Sequence, residues 1–149
     1  MKLATESLED KEVWVKPIEF RMTKGMLGFP DDLEFELLVN GEELPFMWIR
    51  SKRNHELGFV VIEPAEILCD YEIEVADDDA KVLGIEKAGD ALILNIVTIR
   101  DGGDIDSATV NLVAPIILNR NSLLGKQVIV SNHMRFSTKH SILSDSVSG

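Results

Sequence analysis

The sequence predicts an all-β fold: a small, β-barrel-like single domain of antiparallel strands with one or two short helical turns. Three observations carry this expectation. Apolar and polar residues alternate with a period of two along several short stretches, as half-buried strands require. Gly, Pro, Asn and Asp interrupt the chain between those stretches at near-regular spacing. No long stretch repeats its apolar residues at helical spacing, which leaves a small barrel or sandwich as the architecture.

Residues 1–12 are polar, acidic and without period, and read as a flexible lead. The barrel domain is expected over 13–140, with 141–149 as a disordered polar tail. Ile18, Phe20 and Met22 share one face of the first clear strand, and Glu19, Arg21 and Thr23 the other. Pro17 marks a sheet edge or an entry point. Gly25 and Gly28 predict a turn with unusual backbone angles. Phe35, Leu37 and Val39 form the next strand. Asn40-Gly41 then predicts a tight type I′ hairpin, which needs positive φ at both residues. Leu44, Phe46 and Trp48 lie on its far side. A polar loop over 51–56 leads to a strand over 57–62, and Tyr71, Ile73 and Val75 alternate with Glu72 and Glu74 in the strand after it. Asp77-Asp78-Asp79 opens a short helical segment, its carboxylates favoured at the positive helix end, and Gly84 stops it. Strands over 91–99, 107–119 and 127–130 complete the series.

A chain of 149 residues fits one domain and buries a core without disulfides or metal. Apolar residues make up 45%, which excludes a disordered chain. The net charge of −11 argues against binding a nucleic-acid backbone or an anionic membrane and steers the protein toward basic partners. The single cysteine, Cys69, has no partner for an internal disulfide, no apolar run approaches a membrane helix and the first residues are not a signal peptide. The cytoplasm is therefore the expected compartment. His55, His133 and His140 fall in loops and the tail without metal-site spacing, and Cys69 has no neighbouring His or Lys to activate it. The loop Asp101-Gly102-Gly103-Asp104 lacks the pattern of a calcium loop, and Gly25 and Gly28 lack the Lys-Ser/Thr of a phosphate cradle. No catalytic centre, cofactor or metal is expected.

Residues 63–79 stand apart, with eight acids (Glu63, Glu66, Asp70, Glu72, Glu74, Asp77, Asp78 and Asp79) and no base. Glu72 and Glu74 share a strand face, and adjacent like charges cost stability. Two readings stay open: a solvated edge that resists aggregation by its charge, and a binding surface for a basic partner.

Several motifs resemble one family. They are Gly25-Met26-Leu27-Gly28-Phe29, Pro45-Phe46-Met47-Trp48-Ile49-Arg50-Ser51, Phe59-Val60-Val61-Ile62-Glu63-Pro64, Asp70-Tyr71-Glu72-Ile73-Glu74, Leu83-Gly84-Ile85, Asn111-Leu112-Val113-Ala114-Pro115-Ile116-Ile117-Leu118-Asn119 and Gly125-Lys126-Gln127-Val128-Ile129. In this order they resemble the flagellar assembly factor FliW family over about residues 18–140. Residues 1–17 depart from the family's first strand, Cys69 stands where a proline often does, and Lys139-His140-Ser141 replaces an Arg-His-Pro run. The resemblance implies a minimal β-barrel-like fold without enzymatic activity and two mutually exclusive protein partners. One is flagellin, bound in the cytoplasm before export. The other is the translational repressor CsrA, which FliW takes off the flagellin message. Glu63, Asp70, Tyr71, Glu72 and Glu74 are the expected CsrA-binding residues. Tyr71 serves as their anchor if it faces outward, and the carboxylates act alone if it faces the core. Phe29, Phe46 and Trp48 are weaker candidates for an apolar flagellin site, each also readable as core. Outside the resemblance, a ligand carrier would require a barrel with a cavity. A hydrolase using Glu63 and Asp70 would require one buried and one solvated carboxylate.

Overall fold

The computed structural model describes residues 1–4, 17–64, 71–99 and 107–142. Among the described residues, eleven strands and one α-helix run in the order β1 (Lys2–Ala4), β2 (Ile18–Met22), β3 (Glu34–Leu38), β4 (Phe46–Ser51), β5 (Gly58–Ile62), β6 (Glu72–Glu74), α1 (Asp77–Leu83), β7 (Ala91–Thr98), β8 (Thr109–Val110), β9 (Ile116–Asn119), β10 (Leu124–Gln127) and β11 (His140–Ser141). Pairing runs β7-β5-β4-β3-β2-β10-β9 and returns from β9 to β7, closing a seven-stranded barrel; β8 and β11 extend from β7, and β1 and β6 form a separate ribbon. The strands pair antiparallel as expected, except that β10 lies parallel to β2, with Leu124 opposite Arg21.

Alternation along the barrel strands separates two cores. Phe20, Met22, Phe35, Leu37, Met47, Ile49, Val61, Leu92, Leu94, Ile116 and Leu118 point inward and fill the barrel. The opposite face of β5, β7 and β9 carries Ile62, Ala91, Ile93, Val97 and Ile117, and a cap lies over it. That cap comprises the β1–β6 ribbon, α1 and the chain on either side of the β9–β10 hairpin; its own apolar side chains include Leu3, Tyr71, Ile73, Leu83, Leu112, Val128 and Val130. The barrel is therefore packed on the inside everywhere and on the outside along one wall.

The structure differs from expectation at several points, each with a local cause. Residues 2–4, read as part of a flexible lead, form β1 opposite Glu72–Glu74, and Leu3 is fully buried. Neither Asn40 nor Gly41 has positive φ, so no type I′ turn forms. The connection is a longer loop in which Asn40 Oδ1 accepts from Glu42 N at 3.0 Å and the Leu44–Pro45 peptide is cis. Gly28 has φ 90°, but Gly25 is required for space, since a Cβ there would lie 2.2 Å from the Phe29 carbonyl oxygen. The long strand expected over 107–119 breaks at 111–115, where Asn111 Oδ1 accepts from Val113 N and Ala114 N. The strand expected over 127–130 lies earlier, at Leu124–Gln127, while Val128 N and Val130 N still bond to the carbonyls of Pro115 and Val113. Ser141, placed in the tail by the sequence, pairs with Thr109 in β11–β8. The Asp101–Asp104 loop and Cys69 lie outside the described residues. The helix matches expectation, with Asp77, Asp78 and Asp79 in its first turn and Gly84 at φ 69° closing it.

Candidate interaction surface

The expected acidic face falls on the ribbon. In β6, Ile73 is fully buried, whereas Glu72 is exposed and Glu74 half-buried on the opposite side. Register places Lys2 opposite Glu74 and Ala4 opposite Glu72, and Lys2 Nζ lies 3.9 Å from Glu72 Oε1. Both side chains of that pair are well exposed, so water screens it and it contributes little. The chain then enters α1, where Asp77 and Asp78 are exposed and Asp79 pairs with Lys126 of β10.

The other expected members do not join that face. Tyr71 is 1% exposed and belongs to the cap core. Its hydroxyl donates to the Leu112 carbonyl at 2.5 Å, Asn95 Nδ2 approaches the hydroxyl at 3.4 Å, and its ring meets Phe136 edge-on at 4.8 Å. Burial pushes the phenol up to about 12, partly countered by the Asn95 bond. Tyr71 thus anchors the ribbon to the barrel rather than presenting a ring to solvent. Glu63 is 2% exposed just past the end of β5, which removes it from the outer surface. Asp70 lies outside the described residues.

The charge around β2–β4 is arranged differently. Glu19 stands opposite Glu36, but Lys52 Nζ reaches Glu19 at 2.8 Å and Arg50 Nη2 reaches Glu36 at 2.6 Å. Arg21 lies 3.6 Å from Glu34. The Glu19 hydrogen bond is the main cause holding the Lys52 ammonium above its ordinary value. Three acids and three bases neutralise one another here, whereas on the ribbon side Glu72, Glu74, Asp77 and Asp78 outnumber their two cationic neighbours, Lys2 beside Glu72 and the Met1 amino terminus 3.7 Å from Asp77.

The apolar candidates separate as well. Phe46, Trp48 and Arg50 share the outer face of β4, yet Phe46 packs against the cap core while Trp48 is 42% exposed between Leu38 and Val60 in register. Phe29 is 40% exposed on the β2–β3 turn and stands edge-on to Phe59 at 5.8 Å. Strand directions put this turn, the end of β7 and the end of β10 at one end of the barrel. Leu27 (65%), Ile99 (39%) and Ile129 (60%) are exposed at that same end, and the Leu27 N–H donates to Gln127 Oε1 at 3.0 Å. An exposed apolar grouping of this kind marks a surface made to be covered. The sequence reading found Phe29 and missed the other three, because their common feature is the barrel end on which distant turns meet.

Among the described residues, no three His, Cys, Asp or Glu side chains gather as metal ligands, and no helix is long and apolar enough to cross a membrane.

The FliW protein family model matches residues 2–142. The chain belongs to the FliW family. The flagellar assembly factor FliW of Geobacillus kaustophilus (strain HTA426) is 38% identical over 147 residues, covering 99% of each chain. That of Clostridium novyi (strain NT) is 36% identical over 150 residues, covering 99% of this chain and all of its own. A crystal structure of the flagellar assembly factor FliW superposes with a TM-score of 0.76 at 34% identity, covering 95% of this chain and 96% of the other. The FliW match begins at residue 2, so it takes in β1, the strand that the sequence reading did not anticipate.

Proposed function

We propose that this FliW-family protein acts in the cytoplasm as a non-enzymatic flagellar assembly factor that binds flagellin and, when free of it, binds CsrA and relieves repression of flagellin translation. The observation carrying the CsrA half is the uneven charge. The barrel wall neutralises itself, and the excess negative charge of the ribbon faces solvent through Glu72, Glu74, Asp77 and Asp78. An RNA-binding surface is positive, so such a ribbon speeds encounter with it and repels RNA phosphates once bound. Tyr71 and Glu63 are buried, so this reading gives the contact to the carboxylates of Glu72 and Glu74.

The flagellin half rests on the apolar barrel end. A terminal segment that folds as an amphipathic helix needs an apolar surface, which Leu27, Phe29, Ile99 and Ile129 provide. Trp48 remains a separate exposed contact on the wall, and Phe46 is largely committed to the cap.

The test is calorimetric titration with CsrA from the same source at low and moderate salt, repeated with flagellin added first. Binding that weakens with salt and disappears with flagellin present is the expected result. Glu72→Lys/Glu74→Lys should weaken CsrA binding at low salt by about a hundredfold, the loss expected when attractive contacts become like-charge contacts. Phe29→Ser/Ile129→Ser should weaken flagellin binding alone. Wild-type affinity for CsrA in the folded charge-reversed variant would return the ribbon to solvated surface.

A further inference from the structure

β6 is three residues long, and its one strand partner, β1, is equally short. A two-stranded ribbon of this size is marginal by itself. Residues 73 and 75 turn their backbone groups toward β1, where Val75 N donates to the Met1 carbonyl at 2.7 Å. Residues 72 and 74 turn theirs the other way, onto an edge that no strand covers among the described residues. An open edge of this kind loses water-independent support and invites stray pairing.

Asn132 occupies that edge. Its Nδ2 donates to the Glu72 carbonyl at 3.0 Å, and its Oδ1 accepts from Glu74 N at 2.9 Å. Ser131 N completes the set by donating to the Glu74 carbonyl at 2.7 Å. A side-chain amide offers the same donor and acceptor as a peptide group, so Asn132 supplies one link of a missing third strand. The turn that carries it is fixed on both sides: Val130 N bonds to the Val113 carbonyl before it, and Leu112 N bonds to the Ser137 carbonyl after it. Four residues after Asn132, the Phe136 ring meets Tyr71 edge-on.

We infer that Asn132 is the positioning residue of the acidic ribbon: its amide stands in for a third strand and fixes the two residues, Glu72 and Glu74, through which the ribbon engages a basic protein partner. This rests on the reading of the ribbon as the CsrA face. Asn132 contributes geometry and no charge, which gives a test that simple electrostatics answers in the opposite sense. Asn132→Asp adds a negative charge beside two others, and charge alone predicts tighter binding of a basic partner. Positioning predicts weaker binding, because a carboxylate can accept from Glu74 N but cannot donate to the Glu72 carbonyl.

The experiment combines amide hydrogen exchange at Glu74 with titration by CsrA at fixed low salt, on wild type, Asn132→Ala, Asn132→Asp and Glu72→Gln/Glu74→Gln. The expected result is faster exchange at Glu74 in Asn132→Ala with barrel amides unchanged. CsrA affinity falls by about tenfold in Asn132→Ala, the weight of one or two net hydrogen bonds. Asn132→Asp also binds more weakly than wild type. Unchanged exchange at Glu74, or Asn132→Asp binding as tightly as wild type or more so, overturns the inference while leaving the acidic face intact. Unchanged affinity in Glu72→Gln/Glu74→Gln overturns the reading of the face itself, and the inference with it.

Discussion

The two cores of this protein are comparable in apolar content and are held together by different means. The barrel interior is enclosed by a ring of main-chain ladders in which every strand has a neighbour on both sides. The cap core is enclosed on one side only by that ring, and its outer layer is tied on by scattered main-chain bonds, such as Ser131 N to the Glu74 carbonyl, together with side chains that imitate backbone. Asn132 does this for β6. Asn119 does it for α1: its Nδ2 donates to the Leu83 carbonyl at 2.8 Å while its Oδ1 accepts from Asn121 N at 2.8 Å and Ser122 N at 3.2 Å. Asn111 does it at the break before β9, and Asn95 Nδ2 donates to the Asn111 carbonyl at 2.8 Å. A ring of ladders opens only by breaking a whole strand pair, whereas a layer held by scattered single bonds can loosen one tie at a time. The proposed CsrA face lies on the layer that can loosen.

The sharpest way to break this comparison is to damage the barrel. Phe35 is fully buried there and stacks on Phe20 at 5.9 Å. Phe35→Ala should cost about 3–5 kcal/mol in denaturant unfolding, because the closed wall cannot collapse into the void. Barrel and cap amides should lose protection together, since the cap has no wall to rest on once the barrel opens. A variant that lost protection only inside the barrel would refute the hierarchy.

The next effect isolates the cap. Tyr71 is the one tyrosine of the chain, so tyrosinate absorbance reports it alone. The folded protein holds the phenol proton more tightly than the unfolded chain does, with a value raised from 10.0 to about 12. Stability from this group is complete below pH 10 and declines as pH rises through 12, by about 2–3 kcal/mol over the whole span. Unfolding measured across that window should show the decline in wild type and a flatter curve in Tyr71→Phe. Titration of the folded protein at the ordinary tyrosine value would show that the hydroxyl is not shielded from water within the cap.

How much of this was legible in the sequence follows the same division. Barrel strands announce themselves because each buries one face locally: Met47, Ile49 and Ser51 alternate with Phe46, Trp48 and Arg50 over six residues. The helix was legible because its carboxylates and Gly84 are local signals. The cap was not, because its ties are long-range. Lys2–Ala4 becomes a strand only by meeting residues some seventy positions away, and no period shows in three residues. The parallel contact of β10 with β2 is equally non-local. The asparagines bracketing residues 111–119 were visible as letters, but their work is done on backbone that the sequence does not bring near. The acidic stretch was visible too; which of its members face outward depended on whether a cap layer covered them, and it covers Tyr71 while β5's end takes in Glu63.

The smallest expected effect tests one tie of the cap without touching the barrel. Gly84 ends α1 at φ 69°, with its N–H donating to the Lys81 carbonyl at 3.1 Å, and Ile85 N returns to the Ala80 carbonyl at 2.9 Å. A Cβ at this position would meet only Asn119 Nδ2, at 3.6 Å, an ordinary contact. Crowding therefore adds nothing, and the cost of Gly84→Ala is the left-handed backbone alone, about 1 kcal/mol. Gly84→Asn should cost less, because asparagine adopts that conformation more readily. Both should speed amide exchange at Ile85 in that order and leave β3 and β4 amides as in wild type. Equal exchange at Ile85 in the two variants would mean that Asn119, and not the glycine, sets how firmly the helix end is held.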